Sequence, residues 1–308
     1  MRGTRAGRTA LWAYFVAFVV FLFAPLVVLV IFSVNDSTTP TLPLAGFTTK
    51  WFRLAFGNGE LTGALVHSAE IGVVASLVAT ALGIMASIGL SARRLRLRPV
   101  TVAILLLPLV VPYISLAVGL LILMEALGLP HSLTAVALGH VVIALPFSIL
   151  VVLPRLRSLD PALVEAARDL GASDLAAFRL VTLPLLLPSL VSSFLICFTT
   201  SFDEFAIASF LYPPGEPTYP VFLYASSRTP ALLPEVIAVG TIVIALSLVL
   251  VLAAAGGRLW AERRIEGRAK GQAQAPGDGA DGGTGGGGSS TDGPRPATAP
   301  AAVTTQSA

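Results

Sequence analysis

The sequence predicts an all-α polytopic membrane protein with six transmembrane helices. Hydrophobic residues make up 55% of the 308 residues and charged residues only 12%, whereas typical soluble domains carry about 25% charged residues. The mean hydropathy is +0.84. The apolar residues also form blocks of about twenty, the helix length that crosses a bilayer core of roughly 30 Å. Together these observations exclude an ordinary soluble globule.

Six apolar segments are the candidate spans. Arginines precede the first, which is also typical of a secretory signal peptide. That segment is longer than the hydrophobic region of a signal peptide, and no small-x-small cleavage site follows it, so we expect it to be retained as a helix. The predicted spans are Leu11–Ser33, Ala64–Leu90, Val100–Met124, Leu133–Leu153, Leu180–Leu211 and Val236–Gly256.

The basic residues predict the orientation, because cytoplasmic loops of membrane proteins are enriched in lysine and arginine. With the N-terminus inside, the cytoplasmic segments hold 17 of the 20 basic residues, and the outer segments hold only Lys50, Arg53 and Arg228. We therefore expect both termini in the cytoplasm. The positive charge is explained by membrane topology and contacts with lipid, so nucleic acid is not an expected partner.

The chain is predicted to have three regions: a basic cytoplasmic segment at 1–10, a transmembrane domain at 11–264, and a cytoplasmic tail at 265–308. The tail is rich in Gly, Ser and Pro and has no aromatic residue, so it cannot bury enough apolar surface to fold and is predicted to be disordered. The single cysteine excludes an intramolecular disulfide, and the three histidines form no recognisable ligand pair, so no metal site is expected.

The loop at 154–179, between the fourth and fifth spans, carries clear local signals. Asp160 and Pro161 predict a helix start, because Asp accepts hydrogen bonds from free N–H groups and Pro is tolerated at the first helical position. Gly171 predicts the left-handed end of that helix, and Ser173 predicts the cap of a second short helix. The first helix would present alanines and a few charges, which suits either docking to another protein or a solvated connector lying on the membrane.

The same loop resembles the EAA motif of ABC importer permeases, which reads EAA-x3-G-x9-I-x-L-P. This chain has Glu165-Ala166-Ala167, then Gly171, then Val181-Thr182-Leu183-Pro184, and departs only by Val181 in place of Ile. The resemblance extends over about 11–264. It implies the type I ABC importer permease (MetI-like) fold and a multi-pass protein of a bacterial plasma (inner) membrane.

In that family the motif forms a coupling helix, which contacts a cytoplasmic ATPase dimer. The resemblance therefore implies that Glu165, Ala166, Ala167 and Gly171 couple this chain to an ATPase. No GxxxxGK[ST] sequence occurs here, so we expect no enzymatic activity and no cofactor in this chain, with ATP and Mg on the partner. The family also implies a second homologous permease subunit and an extracytoplasmic substrate-binding protein.

Ionisable residues within spans are costly, so each one is a candidate substrate site. Glu70, Asp203 and Glu204 lie in the outer halves of predicted spans. On a continuous helix, Asp203 and Glu204 would point about 100° apart. Paired acidic groups would attract a cation; the alternative is that they cap a helix or pair with Arg228.

The segment Ser201–Phe205 resembles the S-[FL]-D-[DE]-F segment of spermidine/putrescine-type permeases, most closely of their second permease subunit. This resemblance implies a small cationic solute such as a polyamine, with Asp203, Glu204, Tyr113 and Glu70 along its path. Tyr113 stands where relatives often have an acidic residue, and its ring can pack against alkyl or ammonium groups.

Other functions also fit the sequence. An ABC permease for another organic or inorganic solute, such as an anion or a sugar, would share the loop. A secondary transporter driven by an ion gradient would show an inverted repeat or a pair of half-broken helices, and neither is evident in the sequence. A non-transporting membrane scaffold could use the loop only to recruit a partner.

Overall fold

The computed structural model describes residues 5–91, 98–245 and 248, with side chains described from Gly7 onward. Over these residues the backbone is mostly helical and forms no β-strand. The predicted tail at 265–308, and most of 246–264, lie outside the described residues. The α-helices are α1 Arg5–Ser33, α2 Lys50–Gly57, α3 Gly59–Ser91, α4 Arg98–Leu106, α5 Tyr113–Ala126, α6 Leu133–Arg157, α7 Pro161–Asp169, α8 Asp174–Ala177, α9 Leu183–Phe202, α10 Ala206–Leu211, α11 Tyr219–Ser226 and α12 Leu233–Ala245.

Within the described part of the chain, four helical segments are long and apolar enough to cross a membrane, and a fifth span is reached if α4 and α5 count as one. The four are α1, α3, α6 and the continuous segment Asp174–Phe202, which contains α8, a π-helical turn and α9. The all-α membrane class is therefore confirmed, with four or five spans supported. The sixth predicted span is described only as far as Ala245, and this part of α12 is too short to cross a bilayer by itself.

The third predicted span, Val100–Met124, is wrong as a continuous helix. The chain bends by 98° between Arg98–Leu109 and Tyr113–Ala126. A 3₁₀ turn at Leu107–Leu109 contains Pro108, and Pro112 immediately precedes α5. Proline lacks an N–H group and restricts the residue before it, so two prolines four residues apart break the helix at this point.

The fifth predicted span, Leu180–Leu211, is also interrupted. The α9 helix ends at Phe202, residues 203–205 are non-helical, and the chain becomes helical again in α10. Asp203 and Glu204 therefore do not lie on one helix, and the expected separation of about 100° around a helix axis is wrong.

Helices α3, α6 and α9 form the centre of the bundle, with α6 the most buried of the spans. Small residues line their contacts, which lets the backbones approach closely; in lipid this packing replaces the hydrophobic drive that holds soluble helices together. Gly83 of α3 lies against Ser148 of α6, and a Cβ added at Gly83 would overlap the Ser148 side chain.

Hydroxyl groups join the same three helices. The Ser193 hydroxyl of α9 donates to Ser148 Oγ of α6 at 2.8 Å and lies 3.3 Å from Thr80 Oγ1 of α3. Cys197 is completely buried in this region, and its Sγ lies 3.4 Å from the Ala144 carbonyl oxygen. The interhelical hydrogen bonds satisfy polar groups that lipid could not.

After α1, the chain from Asn35 leads into α2, which packs against α3. Trp51 is buried, and its indole N–H donates to the Asn35 carbonyl at 2.8 Å. Phe47, by contrast, is 83% exposed. This loop is thus anchored by a tryptophan packed in protein, while the exposed Phe47 ring is available to the membrane interface.

We predict that Gly83→Ala lowers the thermal stability of the protein, because the added methyl group forces α3 and α6 apart. The matched control is Gly89→Ala in the same helix, where a Cβ meets no atom within 4 Å and where alanine should stabilise the helix by about 0.5–1 kcal/mol. The melting temperatures of the two variants in detergent, measured against the parent protein, test this. A Gly83→Ala variant as stable as Gly89→Ala would contradict the close packing of α3 on α6.

Candidate functional site

The 154–179 loop has the local structure that the sequence predicts. Asp160 precedes α7, and its side chain accepts a hydrogen bond from the Ala162 N–H at 3.0 Å, with Pro161 at the first helical position. Ser173 caps α8 by accepting from the Ala176 N–H at 3.3 Å. Both caps satisfy N–H groups that the first turn of a helix leaves free.

Gly171 makes the turn between the two helices. Its φ is +88°, a conformation that residues with a Cβ rarely adopt. The Gly171 N–H donates to the Arg168 carbonyl at 2.8 Å, and the Ala172 N–H donates to the Ala167 carbonyl at 3.0 Å, so the last carbonyls of α7 are satisfied. No atom lies within 4 Å of a Cβ built at Gly171, so backbone conformation alone requires the glycine.

None of the residues of the α7 helix is buried. Leu163 is 46% exposed, and Leu170, just after the helix, is 90% exposed. Arg168 pairs with Asp174 across the turn at 2.9 Å, on the exposed surface. Glu165 and Ala166 are exposed and Ala167 is partly exposed. The loop therefore presents apolar and charged groups together on an open surface, as a protein-docking element requires.

The 154–179 loop, just before α9, is the first part of the candidate site. The second part lies at the C-terminal end of α9. Since α9 has 20 residues, it carries the chain about 30 Å from the loop to Asp203. Asp203 follows the last residue of α9 and is exposed. The carboxylate thus adds to the partial negative charge of the helix C-terminus, which makes this position favourable for a cation.

Glu204 has a different environment from its neighbour. It is 5% exposed, and its carboxylate accepts hydrogen bonds from the Ile207 N–H at 2.9 Å and the Ala208 N–H at 3.1 Å. These donors belong to the start of α10, so Glu204 caps that helix. The cap role matches one of the alternatives left open by the sequence. The predicted alternative partner, Arg228, instead donates to the Tyr224 hydroxyl.

His140 of α6 completes the buried group and was not predicted as a site residue. It is 1% exposed, with Nε2 3.1 Å from Glu204 Oε2 and Nδ1 2.7 Å from Ser201 Oγ. The Nε2 contact has the length of an ion pair, although its angle departs from an aligned hydrogen bond. A histidine inside a span is an ionisable group within the membrane, and that signal would have identified it.

The remaining predicted residues lie in two places. Tyr113 begins α5 directly after the 98° bend and packs, partly buried, against the cluster that contains Ile207 and Ala208 of α10. Glu70 of α3 is exposed and lines a separate cavity of about 190 Å³ with Thr134 and Ala137 of α6. The fold therefore brings Tyr113 into the surroundings of Glu204, whereas Glu70 opens onto another groove.

Residues 79–266 match the family described as "Binding-protein-dependent transport system inner membrane component". The chain belongs to this family. Its permease domain contains the 154–179 loop, His140, Asp203 and Glu204, whereas Glu70 lies before the matched region. The chain is accordingly a multi-pass inner-membrane permease of the ABC importer class.

Curated relatives extend the similarity over most of the chain. The spermidine/putrescine transport system permease protein PotC of Escherichia coli (strain K12) is 32% identical over 247 residues, which cover 80% of this chain and 93% of that protein. PotC of Haemophilus influenzae is 34% identical over 232 residues, covering 75% and 90%. The putrescine transport system permease protein PotI of Escherichia coli (strain K12) is 34% identical over 231 residues, covering 73% and 82%.

Solved structures support the fold. The chain resembles a subunit in the crystal structure of a bacterial ABC transporter that imports the acidic polysaccharide alginate, with a TM-score of 0.61, 18% identity, and coverage of 82% of this chain and 99% of that one. It also resembles a subunit of the inward-facing MetNI methionine ABC transporter, with a TM-score of 0.52, 21% identity, and coverage of 66% and 97%. The type I permease fold predicted from the EAA-like loop is thus supported.

Proposed function

We propose that this permease carries a small cationic solute of the polyamine class, such as spermidine or putrescine, into the cytoplasm as part of an ATP-driven importer. The observation that carries the solute class is the exposed Asp203 carboxylate at the C-terminus of α9. A carboxylate beside a helix C-terminus attracts ammonium groups and can accept charge-assisted hydrogen bonds from them. The polyamine systems to which PotC and PotI belong support the same solute class.

The partners in this proposal are those that the family of ABC importer permeases implies. The 154–179 loop, with Glu165, Ala166, Ala167 and Gly171, contacts a cytoplasmic ATPase dimer that binds ATP and Mg. A second, homologous permease subunit completes the pathway, and an extracytoplasmic binding protein delivers the solute at the Asp203 end. This arrangement places both termini in the cytoplasm, as the distribution of arginines favours.

Transport in this scheme depends on two different properties of the chain. The exposed surface of α7 contacts the ATPase and moves with it. The continuous helical segment Asp174–Phe202 connects the 154–179 loop to Asp203. Tyr113, at the start of α5, offers an aromatic face to the alkyl or ammonium groups of the solute. Glu70 is a further acidic group of the proposed pathway, in its own groove.

The solute class is tested by uptake in cells that carry the complete transport system with this chain deleted and then restored. We expect the restored cells to take up radiolabelled putrescine or spermidine, and unlabelled polyamine to compete. A labelled sugar and a labelled anionic amino acid are the comparison solutes. Uptake of one of these in place of the polyamine would contradict the proposed solute class.

We predict that Asp203→Asn raises the KM for polyamine uptake. Hydrogen bonds to charged groups contribute roughly 1.5–3 kcal/mol, so the KM should rise by about tenfold or more. The matched control is Glu216→Gln, which removes an exposed carboxylate from the loop between α10 and α11. Equal KM values for Asp203→Asn and the parent protein would rule out Asp203 as a solute-binding group.

We also predict that Gly171→Val uncouples the permease, because valine at φ +88° distorts the turn that orients α7. Uptake should fall by at least about tenfold, the effect of about 1.4 kcal/mol, and stimulation of the ATPase should be lost. Glu165→Lys should have the same effect, since it reverses a charge on the exposed α7 surface.

The control for this loop is Gly128→Val. Gly128 also has a positive φ, +66°, and no atom lies within 4 Å of its Cβ position, but it lies between α5 and α6, away from the loop. Both glycine variants should therefore suffer similar backbone strain. If the two lose ATPase stimulation equally, or if Gly171→Val and Glu165→Lys keep it, the docking role of the loop is wrong.

A further inference from the structure

Near Asp203, three buried polar side chains form a cluster that joins α6, α9 and α10. Ser201 near the end of α9, His140 of α6 and Glu204 after α9 lie in a row, with each imidazole nitrogen facing one of the other two side chains. All three are at most 5% exposed. The neutral histidine tautomer with its proton on Nε2 suits both neighbours, since Nδ1 then accepts from the Ser201 hydroxyl and Nε2–H faces the Glu204 carboxylate.

Glu204 is already occupied by groups of its own chain. Its two carboxylate oxygens accept from the Ile207 and Ala208 N–H groups of α10, and Oε2 also faces His140. A carboxylate removed from water in this way is stable only while those partners remain in place. Since its acceptors are used and its surface is enclosed, Glu204 is poorly placed to bind a solute directly.

The same contacts determine the path of the backbone around Asp203. The α9 helix ends at Phe202, and the non-helical residues 203–205 lead into α10. Residues of α10, among them Ile207 and Leu211, are completely buried in the cluster that also contains Ala117 of α5 and Val136 of α6. The non-helical residues 203–205 are thus held in place on one side by the packing of α10 and, at Glu204, by the contact with His140.

We propose that His140 is a positioning residue for solute translocation. By holding Glu204 from α6, it fixes the break between α9 and α10 and thereby the direction in which Asp203 points. The two adjacent acids then have separate tasks: Asp203 meets the solute, and Glu204 maintains the backbone that presents Asp203. This inference rests on the proposed function for the role of Asp203, but the geometry of the break can be tested without any solute.

The first test measures the accessibility of position 203 in the assembled transporter. The chain has one cysteine, Cys197, which is completely buried, so a reporter introduced as Asp203→Cys can be labelled selectively with a charged, membrane-impermeant thiol reagent. Adding His140→Ala should change the labelling rate of the reporter by at least about fivefold. A reporter at Glu216→Cys should label at the same rate in both backgrounds.

Conservative variants separate positioning from general stability. His140→Gln keeps a donor that can face Glu204 and should restore the parental labelling rate. Glu204→Gln removes the charge and an acceptor while keeping the side-chain size, and should change the rate in the same direction as His140→Ala. This variant also tests the proposal if His140→Ala fails to accumulate. An unchanged labelling rate in a folded Glu204→Gln protein would overturn the proposal.

The second test is a double-mutant cycle on polyamine uptake with Asp203→Asn and His140→Ala. If His140 acts through Asp203, the double variant should have the same KM as Asp203→Asn alone. If the rise in KM of the double variant equals the product of the rises of the two single variants, His140 acts independently of Asp203, for example through general stability. That result would overturn the positioning role. If labelling shifts as expected but no polyamine is taken up, the proposed solute is wrong and the positioning of residue 203 by His140 stands.

Discussion

The close contact of α3, α6 and α9 is the constraint on which the rest of the structure depends. Gly83 leaves no space between its Cα and Ser148, and hydroxyl groups of Thr80, Ser148 and Ser193 join the three helices in the buried interior. Lipid is as apolar as leucine, so packing of this kind and interhelical hydrogen bonds must supply most of the association energy. A Cβ at Gly83 would overlap the Ser148 side chain, so a larger residue there requires one of the two helices to shift.

This packing fixes the two parts of the candidate site, the 154–179 loop and the region of Asp203, at once. The segment Asp174–Phe202 runs from the 154–179 loop to the Asp203 end without a gap in its helical structure. The α9 part of this segment packs against α3 and α6. The loop at one end is almost entirely exposed, whereas the groups behind Asp203 at the other end are buried. The central helices therefore set the distance and direction between the two.

Irregular backbone within the bundle occurs where its polar groups have partners. The 98° bend before α5 lies at two prolines, which have no N–H to satisfy. The break after α9 is compensated by the Glu204 carboxylate, which accepts from two N–H groups of α10. Since α10 packs on α5, the two breaks belong to one region of the fold. Non-helical backbone at membrane depth is tolerated only under such conditions.

The sequence alone determined the features that depend on neighbours in the chain. The caps at Asp160 and Ser173 and the turn at Gly171 involve residues within a few positions of each other, so local rules predicted them correctly, and hydropathy located the main spans. The cap that Glu204 provides for α10 is also local, but its contact with His140 was decided only by the tertiary structure, because the two residues are more than sixty positions apart and meet through helix packing. Hydropathy likewise could not show that two apolar runs are broken, since a bent helix and a straight one are equally apolar. The direction of each break is set by long-range contacts that no short stretch of sequence contains.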